Sequence, residues 1–338
     1  MPLAPPPTLT CGCIINRMDD KRSLVIYYSA GAMSGIFSSG LTKAFEEAGL
    51  KSHIHSVYGN SAGGLTAVAL LADQTDLMAH MYWEDLNEKK YIRWSRLGPY
   101  LGRAFCNAVF RTRFKVEPIF DIDYIQSILL TTRRINFDAI QNSGIQIFMV
   151  VYNLITGHHE YLQMKEKEDV IPMLRATAGG HPAYPHSELI HGNLYVDGGT
   201  IDDRDLIENI IKRHPDKEII CVLNNPRWKY GRLKNLASRF GIAAVMLPFF
   251  GFREAYKTSR SNFATVDIEQ MKANYPYLHF IANDIVGLQM STEAEHHKML
   301  YKRGYELGKE FLLSENIRTV DVGVPGPEGA IALTQGPF

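Results

Sequence analysis

The chain is poor in cysteine, with four in 338 residues: Cys11, Cys13, Cys106 and Cys221. That is too few for a disulfide scaffold at this length, and it points to a reduced, intracellular setting. Cys11-Gly12-Cys13 has no second CxxC pair or histidine cluster to complete a zinc site, so neither a metal nor a cofactor is expected. An excess of either charge is also missing. Lys+Arg and Asp+Glu both number 36, which argues against a dedicated nucleic-acid binder. No apolar run approaches the roughly 18 residues of a membrane-spanning helix. The opening Met1-Pro2-Leu3-Ala4-Pro5-Pro6-Pro7 lacks the basic and apolar regions of a secretory signal. A cytoplasmic protein is expected, with no more than peripheral membrane contact.

At 46% hydrophobic residues, the chain has ample material for a large core. Ser23 to Ser29 is a β-branched and aromatic run that reads as a strand. A loop of small residues follows, then a helix over Ile36 to Leu50, stopped by Gly49. His53 to Tyr58 reads as a second strand and Ala62 to Ala72 as a buried helix. This βαβα order implies a parallel sheet with helices on both faces. Residues 74–145 read as mostly helical. Gln146 to Asn153 is a near-continuous apolar strand of the buried kind, opening a hairpin that turns at Thr156-Gly157. Asp169 to Ala178 reads as a short helix, and residues 179–193 as irregular. Further strands are expected at Leu194 to Val196, Glu218 to Leu223 and Tyr277 to Ala282. Helices are expected at Arg204 to Arg213 and near 232–247, 253–273 and 292–313. The division this implies is an extended arm over 1–22, a catalytic domain over 23–225, a helical C-terminal extension packed on it over 226–318, and a loose tail over 319–338.

Between the second strand and its helix lies Gly59-Asn60-Ser61-Ala62-Gly63, a GxSxG elbow. The neighbours of such a serine must be small because strand and helix backbones crowd there. Ser61 would sit at a helix N-terminus, whose partial positive charge favours a developing alkoxide. One strand and one helix precede it, which argues against the usual α/β-hydrolase arrangement despite the shared pentapeptide. Far downstream, Asp197 ends a strand and is followed by Gly198-Gly199, which lets the backbone turn sharply around a carboxylate.

These two motifs, with Arg175-Ala176-Thr177-Ala178-Gly179-Gly180, Pro182 and Tyr184-Pro185 between them, resemble the patatin-like phospholipase family. The resemblance covers about residues 23–225. It implies a three-layer α/β fold with a mostly parallel central sheet. It also implies hydrolysis of lipid acyl esters by a Ser–Asp dyad, with Ser61 the nucleophile and Asp197 the base. A glycine-rich loop after the first strand supplies the family's oxyanion hole from backbone amides. Here that loop reads Ala30-Gly31-Ala32-Met33-Ser34-Gly35, so Gly31, Ala32 and Met33 would donate, with alanine at two of the patterned glycines. After Gly199 the family's Asn-Pro is replaced by Thr200-Ile201-Asp202-Asp203, an acidic helix start with Asp202 or Asp203 as N-cap.

Lys89 to Val116 carries eight Lys/Arg residues without an acid, interleaved with Trp94, Tyr100, Phe105, Phe110 and Phe114. A second acid-free stretch runs from Arg227 into the apolar segment Gly241 to Phe252. Both would suit an anionic membrane surface, or equally a solvated basic face over core aromatics. Three readings follow: a lipid acyl hydrolase acting on (phospho)glycerolipids, a catalytically weak lipid- or membrane-binding protein of the same fold, and an esterase assisted by His181, His186 or His191. Oligomeric state, head group and chain length are left open.

Overall fold

The structure, a computed structural model, describes residues 23–86, 90–110, 115, 117–180, 184, 186–200, 203–225, 268–285 and 290–314. The N-terminal arm, the helices expected near 232–247 and over 253–267, the second basic stretch with its apolar segment, and the tail lie outside the described residues.

Strand β1 (Leu24–Tyr28) is buried on both faces, as its unbroken apolar run requires. A 3₁₀ turn (Ala32–Gly35) leads into α1 (Ile36–Glu47), and Gly49 ends that helix at φ +70°. β2 (Ile54–Asn60) runs to the elbow and α2 (Ala62–Leu71) leaves it, buried along its whole length. The 74–145 region is helical: α3 (Thr75–His80), continued by a π turn over Met81–Asp85, then α4 (Leu97–Phe110), α5 (Ile122–Ser127) and α6 (Phe137–Asn142). β3 (Gln146–Asn153) and β4 (His158–Met164) form the expected hairpin, with Gly157 at φ +70° in its turn. α7 (Val170–Ala178) follows.

Residues 179–193 are not wholly irregular. β5 (Glu188–Ile190) pairs with β6 (Asn193–Asp197) across His191-Gly192, at φ +48° and +81°. Two left-handed residues in a row are a type I′ hairpin turn, which matches the twist of the strands it joins. Then come α8 (Asp203–Arg213), β7 (Glu218–Leu223), α9 (Ile268–Asn274), β8 (Leu278–Ala282) and α10 (Ala294–Ser314). Asp203 opens α8 and so is not its N-cap, and Asp202 lies outside the described residues.

The strands form one sheet in the order β5-β6-β3-β2-β1-β7-β8, with β4 also on β3. β3, β2, β1, β7 and β8 are mutually parallel. Alternation along β1 splits the core between two faces. Leu24, Ile26 and Tyr28 pack with α1 and α2, while Val25 and Tyr27 pack with Leu206, Ile207 and Ile210 of α8 and Met271 of α9. α10 lies directly on α1: a Cβ added at Gly304 would fall 2.0 Å from the Phe37 carbonyl oxygen, and one at Gly40 2.0 Å from that of Tyr301. The glycines let the two backbones touch.

One detail of pairing creates the site. β4 occupies one edge of β3 from Ile147 to Asn153. The opposite edge is shared, by β2 along Gln146–Val150 and by antiparallel β6 along Val151–Asn153. The C-terminal ends of β2 and β6 therefore meet head-on, with Asn60 opposite Val150 and Asp197 opposite Val151.

Candidate active site

The meeting of β2 and β6 brings Ser61 and Asp197 together from opposite directions along the chain. Ser61 Oγ donates to Asp197 Oδ2 at 2.9 Å. Ser61 has φ +53° and ψ −122°, a backbone conformation that a side chain rarely adopts and that costs about 1–3 kcal/mol. The elbow imposes it. A Cβ at Gly63 would stand 2.3 Å from the Tyr28 carbonyl oxygen, and one at Gly59 2.5 Å from Gly64 Cα. Strand and helix backbones thus close in from both sides, and the serine between them projects at the N-terminus of α2.

Thr177 fixes the elbow further. Its hydroxyl accepts from the Ser61 N–H at 2.9 Å and donates to the Val150 carbonyl at 2.7 Å. This residue stands in the Arg175–Gly180 motif, but its part as a bridge between α7, β3 and the elbow could not be read from sequence. Asp197 is 4% exposed. Its Oδ2 also accepts from Gly180 N–H at 2.8 Å, and Oδ1 accepts from Gly199 N–H at 2.6 Å. Burial pushes its pKa up from 3.8 to about 6, and the three hydrogen bonds hold it back from rising further. A carboxylate poised there is a far better base near neutral pH than an ordinary aspartate.

In the glycine-rich loop, the left-handed conformation falls on Ala32, at φ +49°, and not on Ala30. Gly31 is extended, and its glycine serves space, since a Cβ would lie 2.5 Å from Asn224 Cβ. Asn224, after β7, went unnoticed in the sequence and organises the loop. It donates from Nδ2 to Ser29 O at 2.7 Å, receives the Ser38 N–H on Oδ1 at 3.1 Å, and donates its own N–H to Ser29 Oγ at 2.9 Å. The Ser34 amide is spent on Gly31 O at 2.9 Å. Ala32 and Met33 open the 3₁₀ turn, so the turn itself offers their amides no acceptor. Both line the cavity that Ser61 faces, whose other walls include Leu65, Tyr91 and Ile125.

Among the described residues no histidine bonds to Ser61 or Asp197. His186 is exposed and packs edge-on against Tyr184, His191 sits exposed in the β5–β6 turn, and His181 lies outside the described residues. His159 Nε2 lies 3.1 Å from the Gly198 carbonyl oxygen, beside the dyad but on its backbone.

The acid-free basic stretch proves less free than its sequence implies. Arg93 pairs with Asp121, and Arg96 lies 3.4 Å from Glu117, acids supplied by the chain just beyond. Tyr100 is buried, whereas Trp94, Leu97, Leu101 and Phe110 are exposed on and before α4. Among the described residues no helix is long and apolar enough to cross a membrane.

A serine elbow and a buried carboxylate at the carboxyl ends of a mostly parallel, helix-covered sheet define the class, an α/β protein with the layout of an acyl hydrolase. The profile of one family, described as Patatin-like phospholipase, matches residues 28–209, more than half of the chain. The chain belongs to the patatin-like phospholipase family, and with it to the lipid hydrolases. Among solved structures it is similar to the crystal structure of VipD from Legionella pneumophila, at 14% identity and a TM-score of 0.40, over 87% of this chain and 67% of that one. No match is found among curated proteins.

Proposed function

We propose that this protein cleaves carboxylic esters of (phospho)glycerolipids through an acyl-enzyme on Ser61, with Asp197 as the general base. The observation that carries the reading is the 2.9 Å contact from Ser61 Oγ to a buried carboxylate whose pKa stands at about 6. Asp197 takes the hydroxyl proton as Oγ attacks the acyl carbon, then returns it to the departing alcohol. Water repeats the sequence on the acyl-enzyme and regenerates Ser61. Ala32 and Met33 line the cavity where the oxyanion forms and supply their amides to it in this reading, and the N-terminus of α2 adds its partial positive charge.

The exposed Trp94, Leu97, Leu101 and Phe110 border the segment whose Tyr91 and Phe120 stack beside the site. We take this face as the peripheral contact with lipid, because the basic stretch around it favours an anionic surface.

Ser61→Ala tests the reading. It should abolish hydrolysis across a panel of phospholipid, lysophospholipid and short-chain ester substrates while leaving the melting temperature intact. A fluorophosphonate should label the wild type and not the variant. Labelling that persists on Ser61→Ala would overturn the nucleophile assignment. A wild type that binds lipid without hydrolysing any member of the panel would favour the weak-enzyme alternative.

A further inference from the structure

The cavity above Ser61 is lined by a buried polar group that the reaction as described does not use. Tyr82 lines it together with Ala32, Met33 and Ala62. The residue is 1% exposed, and its Oη is buried without a hydrogen-bond partner among the described residues. A buried hydroxyl left unpaired costs free energy, and such orphans in native structures need an explanation. Its position is close to the chemistry. A Cβ added at Gly35, in the 3₁₀ turn that Ala32 opens, would fall 2.5 Å from Tyr82 Oη and 2.6 Å from the Cβ of Ala62, the residue after the serine. The phenol tip therefore lies between the loop and the start of α2.

The surrounding structure holds it there. Tyr82 belongs to the π turn Met81–Asp85, an irregularity that often marks functional positions in helices. From α10, His297 places Nδ1 2.9 Å from the Tyr82 carbonyl oxygen, and the two rings meet edge to face. Burial drives the phenol pKa far above its usual value, so Tyr82 stays a neutral O–H donor wherever the enzyme works.

We propose that Tyr82 Oη–H is a side-chain donor to the acyl carbonyl oxygen, completing the oxyanion hole with the Ala32 and Met33 amides. This rests on the ester-hydrolase reading above. As Ser61 Oγ bonds to the acyl carbon and its proton passes to Asp197, the carbonyl π pair moves onto oxygen and the Tyr82 hydroxyl hydrogen-bonds to it. When that pair re-forms the carbonyl, the C–O bond to the alcohol breaks and the alcohol takes the proton from Asp197. Tyr82 keeps its own proton throughout. The donor would explain how a loop with alanine at two patterned glycines can still hold an oxyanion.

Tyr82→Phe in the full chain removes only the oxygen. With a soluble short-chain ester, kcat should fall by about 100- to 1,000-fold, as for loss of one oxyanion donor, and KM should change by no more than about twofold. The melting temperature should stay level or rise, since an unpaired buried hydroxyl is gone. An unchanged kcat overturns the proposal and leaves Tyr82 as a packing residue with an orphan oxygen. Should Tyr82→Phe fold poorly, the wild type crystallised as its fluorophosphonate adduct decides. Tyr82 Oη within about 3.2 Å of the phosphonyl oxygen supports the proposal, and one turned away from it overturns it. Failure of the probe to label Ser61 in the wild type would instead refute the ester-hydrolase reading, so the two failures are distinguishable.

Discussion

Replacing Asp197 with asparagine should separate activity from stability in opposite directions, and pH exposes the separation. The wild-type carboxyl group has a folded-state pKa of about 6 against 3.8 in the unfolded chain. Each pK unit corresponds to about 1.4 kcal/mol, so ionising the buried group costs about 3 kcal/mol of folding free energy. That cost is absent well below pH 3.8, where both states are protonated, sets in as the unfolded carboxyl ionises around pH 3.8, and is complete once pH has risen through about 6. The amide side chain of the Asp197→Asn variant carries no such titration. The variant does lose an acceptor for one of the amides of Gly180 and Gly199, but that loss is independent of pH. The informative quantity is the difference in melting temperature, wild type minus Asp197→Asn, measured by calorimetry at pH 4 and pH 7. It should fall by about 5 °C between the two, since about four-fifths of the cost accrues between them, at roughly 2 °C per kcal/mol for a chain of this size. Meanwhile kcat at pH 7 should drop at least about a hundredfold in the variant. The wild-type rate itself should rise with pH along a limb centred near 6. A melting-temperature difference that is flat across this range, or a rate limb centred near 4, would refute the argument that burial sets the base.

Ala32→Gly should relieve the left-handed strain at φ +49° and raise stability by about 1 kcal/mol, seen as a small upward shift in melting temperature. A lowered melting temperature would mean that the methyl group makes a contact worth more than the strain. For the membrane face, Arg93 and Arg96 are poor targets because their ion pairs tie the segment to Asp121 and Glu117. Trp94→Ala with Phe110→Ser removes exposed apolar surface instead. The pair should weaken sedimentation with phosphatidylserine-containing vesicles several-fold while leaving short-chain ester hydrolysis unchanged. Equal sedimentation with and without these side chains would discard the face as a lipid contact.

Much of this protein was legible without coordinates, for local reasons. Short apolar runs rich in β-branched and aromatic residues, such as Leu24–Tyr28 and Gln146–Asn153, read as buried strands, and the small residues around Ser61 suit a crowded strand-to-helix turn. Ser61 and Asp197 stood out because each requires glycine neighbours that leave a mark in sequence. The β5–β6 hairpin escaped because a three-residue strand has no period to read, although its His-Gly turn is a weak trace of it.

What the tertiary structure alone decided is everything that depends on residues far apart in the chain. The head-on meeting of β2 and β6 along one edge of β3 sets the serine against the carboxylate, and no spacing in the sequence encodes that register. The Asn224 staple and the Tyr82 hydroxyl, unpaired among the described residues, are single polar residues without a motif, and the Thr177 bridge is a contact that its motif does not reveal; all are visible only once folding has buried them. The shift of Asp197 follows the same logic: aspartate has an ordinary pKa in the unfolded chain, and only the removal of water around it by the closed sheet and its covering helices turns it into a base. Likewise, the acids that pair with Arg93 and Arg96 lie beyond the basic stretch, so its free charge could be judged only after the chain had folded back on itself.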